Sequence, residues 1–194
     1  MNLKEFDTKE ALLQNGKAAF LACGFERVSL RTICRNAGVT TGAFYTHFAK
    51  KEDLFSAIVE PVIKSLEDLQ NGAIHRALAD VKDNVQSETE MIEFLCAHRD
   101  EIRLLFDCAE GTKYAGFREN LVNRYLMQSA TQCFEHYVGH SVDPSVVRLF
   151  VRMKSAQYTE LIYGDYTSDE IRQLIRQYAA FTEAGFIKLI EELK

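Results

Sequence analysis

The chain has no tryptophan and only two prolines, Pro61 and Pro144, in 194 residues. With so few helix breakers, and no stretch that alternates apolar and polar residues as a half-buried strand does, the sequence argues for an all-α fold. No apolar run approaches the ~18 residues needed to span a bilayer, so no membrane partner is expected. The stretch MNLKEFDTKE is charged and lacks the apolar core of a secretory signal. Five cysteines (Cys23, Cys34, Cys96, Cys108, Cys133) form an odd set without paired spacing, which argues against a disulfide framework and fits reduced thiols in a cytoplasm. A glycine-rich phosphate loop after a strand, a nucleophile elbow and a His-Glu-x-x-His helix are all missing. The sequence therefore points to no enzyme, no cofactor and no bound metal.

Excess positive charge is missing from the whole chain, whose net charge is −5. The imbalance is local, however. Residues 1–54 hold eight lysines and arginines against six acidic residues, a net of +2, and the remainder hold fifteen against twenty-two, a net of −7. A mildly basic end on an acidic body suits a protein that meets nucleic acid with one end only.

That basic end contains the most specific segment, SLRTICRNAGVTTGAFYTHF from Ser29 to Phe48. Ser29 can cap a short helix, and Leu30, Ile33 and Ala37 recur on one face of it. Gly38 suits the left-handed turn that ends such a helix, and Val39 fills the angle that follows. Thr40 caps a second helix whose first turn is Thr41, Gly42 and Ala43, small enough to approach a surface closely. Phe44 and Phe48 face inward, whereas Tyr45 can pack its ring or reach a phosphate with its hydroxyl. Lys50 and Lys51 follow at the start of the next helix, where an anion is favoured. This is the build of a helix-turn-helix, whose second helix enters the major groove of DNA.

Over residues 8–55 the sequence resembles the DNA-binding domain of the TetR family of bacterial transcriptional regulators. The resemblance is carried by Leu12-Leu13, Phe20, Gly24-Phe25, Ser29-Leu30-Arg31, Ile33, Ala37-Gly38-Val39-Thr40, Gly42, Tyr45, His47-Phe48, Lys51-Glu52 and Leu54. It implies a three-helix helix-turn-helix head (residues 1–50) and a helical ligand-binding and dimerisation body (51–194). It further implies a homodimer that leaves a palindromic operator in double-stranded DNA when a small-molecule effector binds. By the same resemblance Arg31, Thr40, Thr41, Gly42, Tyr45, His47 and Lys51 fall on DNA-facing positions. Two positions depart from the family pattern: Asn15-Gly16 stands where alanines are usual, and Cys34 replaces an alanine. A glycine inside a helix costs about 0.5–1 kcal/mol relative to alanine.

Elsewhere the pattern reads as helices. The first begins at Asp7 or Thr8, with Leu13, Phe20 and Cys23 on its covering face. The fourth runs from Lys51 to about Gln70 with Pro61 inside it, either a packing bend or a joint between head and body. Asp83 to Ser87 reads as a loop, and Glu90 to Phe106 as a helix broken near Ala97-His98. A stop at Gly111 and a new start at Thr112 precede a long helix ending near Gly139. Asp143-Pro144 starts the next helix, which stops at Gly164, and a Thr167/Glu170 capping box opens the last.

The last two helices carry apolar residues on more than one face, wider than a single packing layer requires. A four-helix bundle across a homodimer accounts for this, as would one large core within the chain. Phe94, His98, Phe106, Tyr114, Phe117, Tyr125 and Tyr158 are candidates to line an effector pocket, and their aromatic bias points to a lipophilic ligand. Cys133, His136 and His140 have metal-ligand spacing, but Gly139 interrupts the helix and no fourth ligand is visible. The competing function is a helical dimeric adaptor that binds a protein partner without sequence-specific DNA binding. The basic residues of the head argue against it.

Overall fold

The computed structural model describes residues 3–80 and 84–194, which are all-α and contain no strand. The helices are α1 (Leu3–Cys23), α2 (Leu30–Asn36), α3 (Thr41–Tyr45), α4 (Lys51–Ala79), α5 (Asn84–Ala97), α6 (Arg99–Asp107), α7 (Phe117–Asn120), α8 (Met127–Val138), α9 (Pro144–Tyr163) and α10 (Ser168–Leu193). A π-helical stretch, Leu121–Leu126, joins α7 to α8 without a break. No helix among the described residues is long and apolar enough to cross a membrane. The chain forms two compact units: residues up to Lys64 together with His98–Arg118, and Ser65–Ala97 together with Glu119–Lys194.

In the first unit Leu12 and Phe20, eight apart on α1, are fully buried, while Leu13 is half-buried and Cys23 is exposed. The covering face of α1 is therefore one residue off the expected stripe. Between the two buried residues lies Gly16. A Cβ there would stand 2.8 Å from Cδ2 of Leu54, itself fully buried, so the absent side chain is what lets α1 meet α4. Phe20, Phe25 and Phe55 pack with ring centroids 5.2–5.7 Å apart, and α6 adds Leu104 and Leu105 to the same core. Cys34 sits in this core as a small apolar side chain, 2% exposed.

The second unit has its own phenylalanine triad, Phe134, Phe150 and Phe186, with centroids 4.9–5.4 Å apart. Around it α8, α9 and α10 bury Val138, Val147, Val151 and Ile190. A further cluster joins Ile92 of α5 to Leu161, Ile171 and Ile175.

Most expected boundaries appear. Gly139 closes α8 at φ +85°, Asp143 caps α9 through the Ser145 amide, and the Thr167/Glu170 capping box is complete. Others moved. The first helix starts at Leu3 rather than at Asp7 or Thr8, and α4 continues nine residues past Gln70 to Ala79. Asp83 lies outside the described residues, but Asn84–Ser87 is helical where a loop was expected. The reason is tertiary: buried Ser87 accepts a hydrogen bond from Arg76 Nε at 3.0 Å, and the same guanidinium pairs with Glu90 at 2.6 Å. The restart expected at Thr112 is a turn, and helix resumes at Phe117.

Candidate nucleic-acid interface

The turn between α2 and α3 follows from its sequence. The Ser29 hydroxyl accepts the Thr32 amide at 3.1 Å and starts α2. At the other end the Gly38 amide donates to Arg35 O at 3.2 Å and the Val39 amide to Cys34 O at 3.0 Å, a Schellman closure with Gly38 at φ +68°. Thr40 then spends its hydroxyl on the Ala43 amide at 3.1 Å. Phe44 is fully buried and Phe48 nearly so, which fixes the roll of α3 and turns Thr41, Gly42 and Tyr45 outward.

The residues expected to face DNA divide by what they already do. Arg31, Thr41 and Tyr45 are exposed, and among the described residues their polar groups have no hydrogen-bond or ion-pair partner. Tyr45 is 60% exposed while its ring stands edge-on to Phe44, with centroids 5.5 Å apart. Thr40 is exposed, but with its hydroxyl committed to the cap it has a methyl left to offer. A Cβ at Gly42 would meet only Thr40 Oγ1, at an ordinary 3.6 Å, and Gly42 has no positive φ. Nothing among the described residues requires glycine there. His47 is half-exposed beside Phe48.

Lys51 already has partners within the chain. Its ammonium donates to Phe25 O at 2.6 Å and Val28 O at 2.9 Å, and lies 4.2 Å from the centroid of the Phe25 ring. Burial pulls its pKa below the ordinary lysine value, against the attraction of Glu26. It acts as a strut that holds the α1–α2 loop and so sets where Ser29 begins α2. The Phe25 amide fastens the same loop from the other side by donating to Cys108 O at 3.0 Å. Sequence spacing could not reveal this, because a lysine at a helix start reads as a phosphate ligand. Lys50 remains outside, 63% exposed and paired with Glu52 at 2.7 Å.

The aromatic set proposed for an effector pocket does not converge. Phe106, Tyr114 and Phe117 pack against the core of the first unit, and Tyr114 donates its hydroxyl to Glu60 at 2.7 Å. His98 lies at the start of α6 in that unit. In the second unit Phe94 is half-buried on α5 and Tyr125 is 49% exposed, and neither is part of the pocket that Tyr158 lines. Tyr158, of this set, lines a partly open pocket of that unit. Beside it lie Cys133 and the buried pair Glu88 and Lys154, which are 66 residues apart and so carry no local sequence signal. Cys133 lines this space, His136 stands edge-on to Tyr137 at an exposed position and His140 bonds Ser141 O at 2.9 Å, so the metal-like spacing does not gather three ligands among the described residues. Burial pushes the thiols of Cys34, Cys108 and Cys133 up, away from the reactive thiolate.

Residues 12–58 match the family model described as bacterial regulatory proteins, tetR family. The A-factor receptor protein of Streptomyces griseus is 34% identical over 73 residues, 38% of this chain and 26% of that protein. The HTH-type transcriptional repressor BepR of Brucella suis is 42% identical over 53 residues, 27% of this chain and 25% of that protein. The matched regions span from about a quarter to about half the length of the curated relatives. A solved transcriptional regulator from Aquifex aeolicus VF5 shares the fold at a TM-score of 0.62, with 20% identity and coverage of 90% of this chain and 98% of that one. With the capped α2–α3 turn and its outward face, these likenesses identify residues 12–58 as a helix-turn-helix domain of the kind found in bacterial regulatory proteins of the tetR family, and give the chain the fold of the solved regulators.

Proposed function

We propose that the chain is a DNA-binding transcriptional regulator: a homodimeric repressor that holds a palindromic operator and leaves it when a small molecule occupies the second unit. Residues 1–50 carry the DNA contact, and residues 51–194 carry the ligand and dimer functions. The observation that carries this reading is the outward face of α3 with Arg31 of α2. Thr41, Tyr45 and Arg31 are exposed and uncommitted, and Gly42 is small without an internal reason.

Direct base readout is modest. Helix α3 offers no arginine, asparagine or glutamine for bidentate contacts to bases. Threonine methyls can meet thymine, Tyr45 and His47 can hold phosphates, and Arg31 adds charge. Sequence-dependent DNA shape supplies the remainder. Dimerisation is supported by α9 and α10, which leave Leu149 63%, Met153 57%, Tyr178 49% and Phe181 67% exposed. A two-fold pair of heads matches half-sites one helical turn apart.

The test is a gel shift and footprint on the promoter region beside the chain's own gene. Protection of two symmetric half-sites that survives random competitor DNA is the expected result. Binding that competitor removes entirely would favour the adaptor reading.

A further inference from the structure

A partly open pocket in the second unit measures about 160 Å³. An engineered apolar cavity of about 150 Å³ is large enough to take benzene, so this one suits a single-ring molecule. Ile74, Leu126, Val151 and Phe186 make most of its wall hydrocarbon. One side differs, where Glu88, Lys154 and Tyr158 meet. The Lys154 and Glu88 side chains are 11% and 6% exposed and form an ion pair, and Tyr158 donates to the other Glu88 oxygen at 3.3 Å. Burial holds the tyrosine phenol well above its ordinary pKa, so it stays neutral.

The donor and charge balance of this corner selects a ligand. The ammonium carries three N–H donors, and among the described residues its hydrogen-bond partner is Glu88. Both carboxylate oxygens of Glu88 are engaged. The corner is already neutral, with one positive and one negative charge in a hydrocarbon-walled space. A carboxylate ligand would add a second negative charge and a cationic ligand a second positive one, each without a counter-charge in a medium that stabilises lone charges poorly. A pure hydrocarbon would bring the remaining lysine donors no oxygen acceptor, leaving them the Phe150 ring face, whose centroid is 5.8 Å from Nζ. An uncharged oxygen acceptor meets them and keeps the balance.

We infer that the second unit takes an uncharged organic molecule of about one ring, bearing a hydrogen-bond acceptor such as a carbonyl oxygen. That oxygen sits on the Lys154 ammonium and the hydrocarbon lies against Ile74, Leu126, Val151 and Phe186. The inference rests on the effector reading above and names the chemical class that the effector belongs to.

Titration calorimetry of the full chain at neutral pH with acetophenone, ethylbenzene, benzoate and benzylamine tests it. Acetophenone should bind at least tenfold tighter than each of the other three. Cys133→Phe, and independently Ala130→Leu, place bulk in the cavity and should abolish acetophenone binding while the helical circular dichroism is retained. The double substitution Lys154→Met with Glu88→Gln removes the charge pair, and acetophenone and ethylbenzene should then bind within about threefold of each other. Benzoate or benzylamine binding as tightly as acetophenone overturns the inference. So does the absence of binding by any probe, or acetophenone binding that survives both cavity-filling variants. Operator binding is read in a separate assay without probe, so failure of the DNA reading shows there and leaves the calorimetric result intact.

Discussion

Replacing Lys51 with methionine separates two roles that look alike in the sequence. As a phosphate ligand, Lys51 would contribute to the counterion release that makes protein–DNA affinity salt-dependent, and its loss would reduce the slope of log affinity against log salt by about 0.9 per head. As the strut seen in the structure, it supports the Phe25 and Val28 carbonyls at 2.6 and 2.9 Å. Hydrogen bonds from a charged donor are worth about 1.5–3 kcal/mol each, and a carbonyl stripped of its partner loses that unless water replaces it. Lys51 is only half-buried, so water reaches part of this loop and the sum must be discounted. A net destabilisation of about 1–3 kcal/mol follows. Methionine keeps the apolar stem over the Phe25 ring, so the change isolates the ammonium. Urea unfolding followed by circular dichroism measures the loss, and operator titrations between 50 and 200 mM salt measure the slope. The strut predicts lower stability and an unchanged slope once the fraction folded is accounted for. Unchanged stability with a slope reduced by about one would refute it.

The Gly42→Ala variant should fold at least as well as the parent, since a Cβ finds only an ordinary 3.6 Å contact, yet it should bind operator at least tenfold more weakly; undiminished operator binding would remove the close-approach argument. Introducing charge on the exposed apolar stripe, Phe181→Glu with Leu149→Glu, should yield a folded monomer in analytical ultracentrifugation, and a persistent dimer would place the interface elsewhere. The carboxylates of Asp143 and Glu170 are held below their ordinary pKa chiefly by backbone hydrogen bonds, from Ser145 and Thr167 respectively. Folding lowers these values, so their stabilisation is complete above the unfolded-state pKa and disappears as the pH falls through the folded-state one. Acid titration monitored by circular dichroism should therefore lose stability less steeply in Asp143→Asn and Glu170→Gln than in the parent.

The head was legible because its signals are local. Ser29, Gly38 and Thr40 act through hydrogen bonds that span at most five residues, so residue type and spacing alone place them. The tasks of Lys51 and Ser87 depend on partners from other segments: Phe25 and Val28 more than twenty residues earlier for the first, Arg76 eleven earlier for the second. No periodicity encodes such pairings. Three of the effector candidates lie in a core for a related reason. Aromatic residues recur at helical spacing whether they pack a core or line a cavity, and here Phe106, Tyr114 and Phe117 serve a core. A glutamate at 88 and a lysine at 154 look like surface charges until the fold buries them together.

Gly16 shows how a local cost is settled by a distant partner. Alanine there would gain about 0.8–1 kcal/mol in helix propensity. Its Cβ would also stand 2.8 Å from Cδ2 and 3.2 Å from Cγ of Leu54, a fully buried side chain with little room to turn. Overpacking of this kind costs about 1–3 kcal/mol, so the steric term outweighs the propensity term and Gly16→Ala should be less stable, by up to ~2 kcal/mol. Leu54→Ala alone opens a cavity and costs about 2–5 kcal/mol. In the double variant the new methyl occupies part of that cavity and the clash is gone, so the two losses should not add. A double-mutant cycle from urea midpoints should give a favourable coupling of about 1 kcal/mol or more. Additive losses would mean that Leu54 does not set the glycine, and that α1 and α4 meet at Gly16 for some reason other than the space its missing side chain leaves.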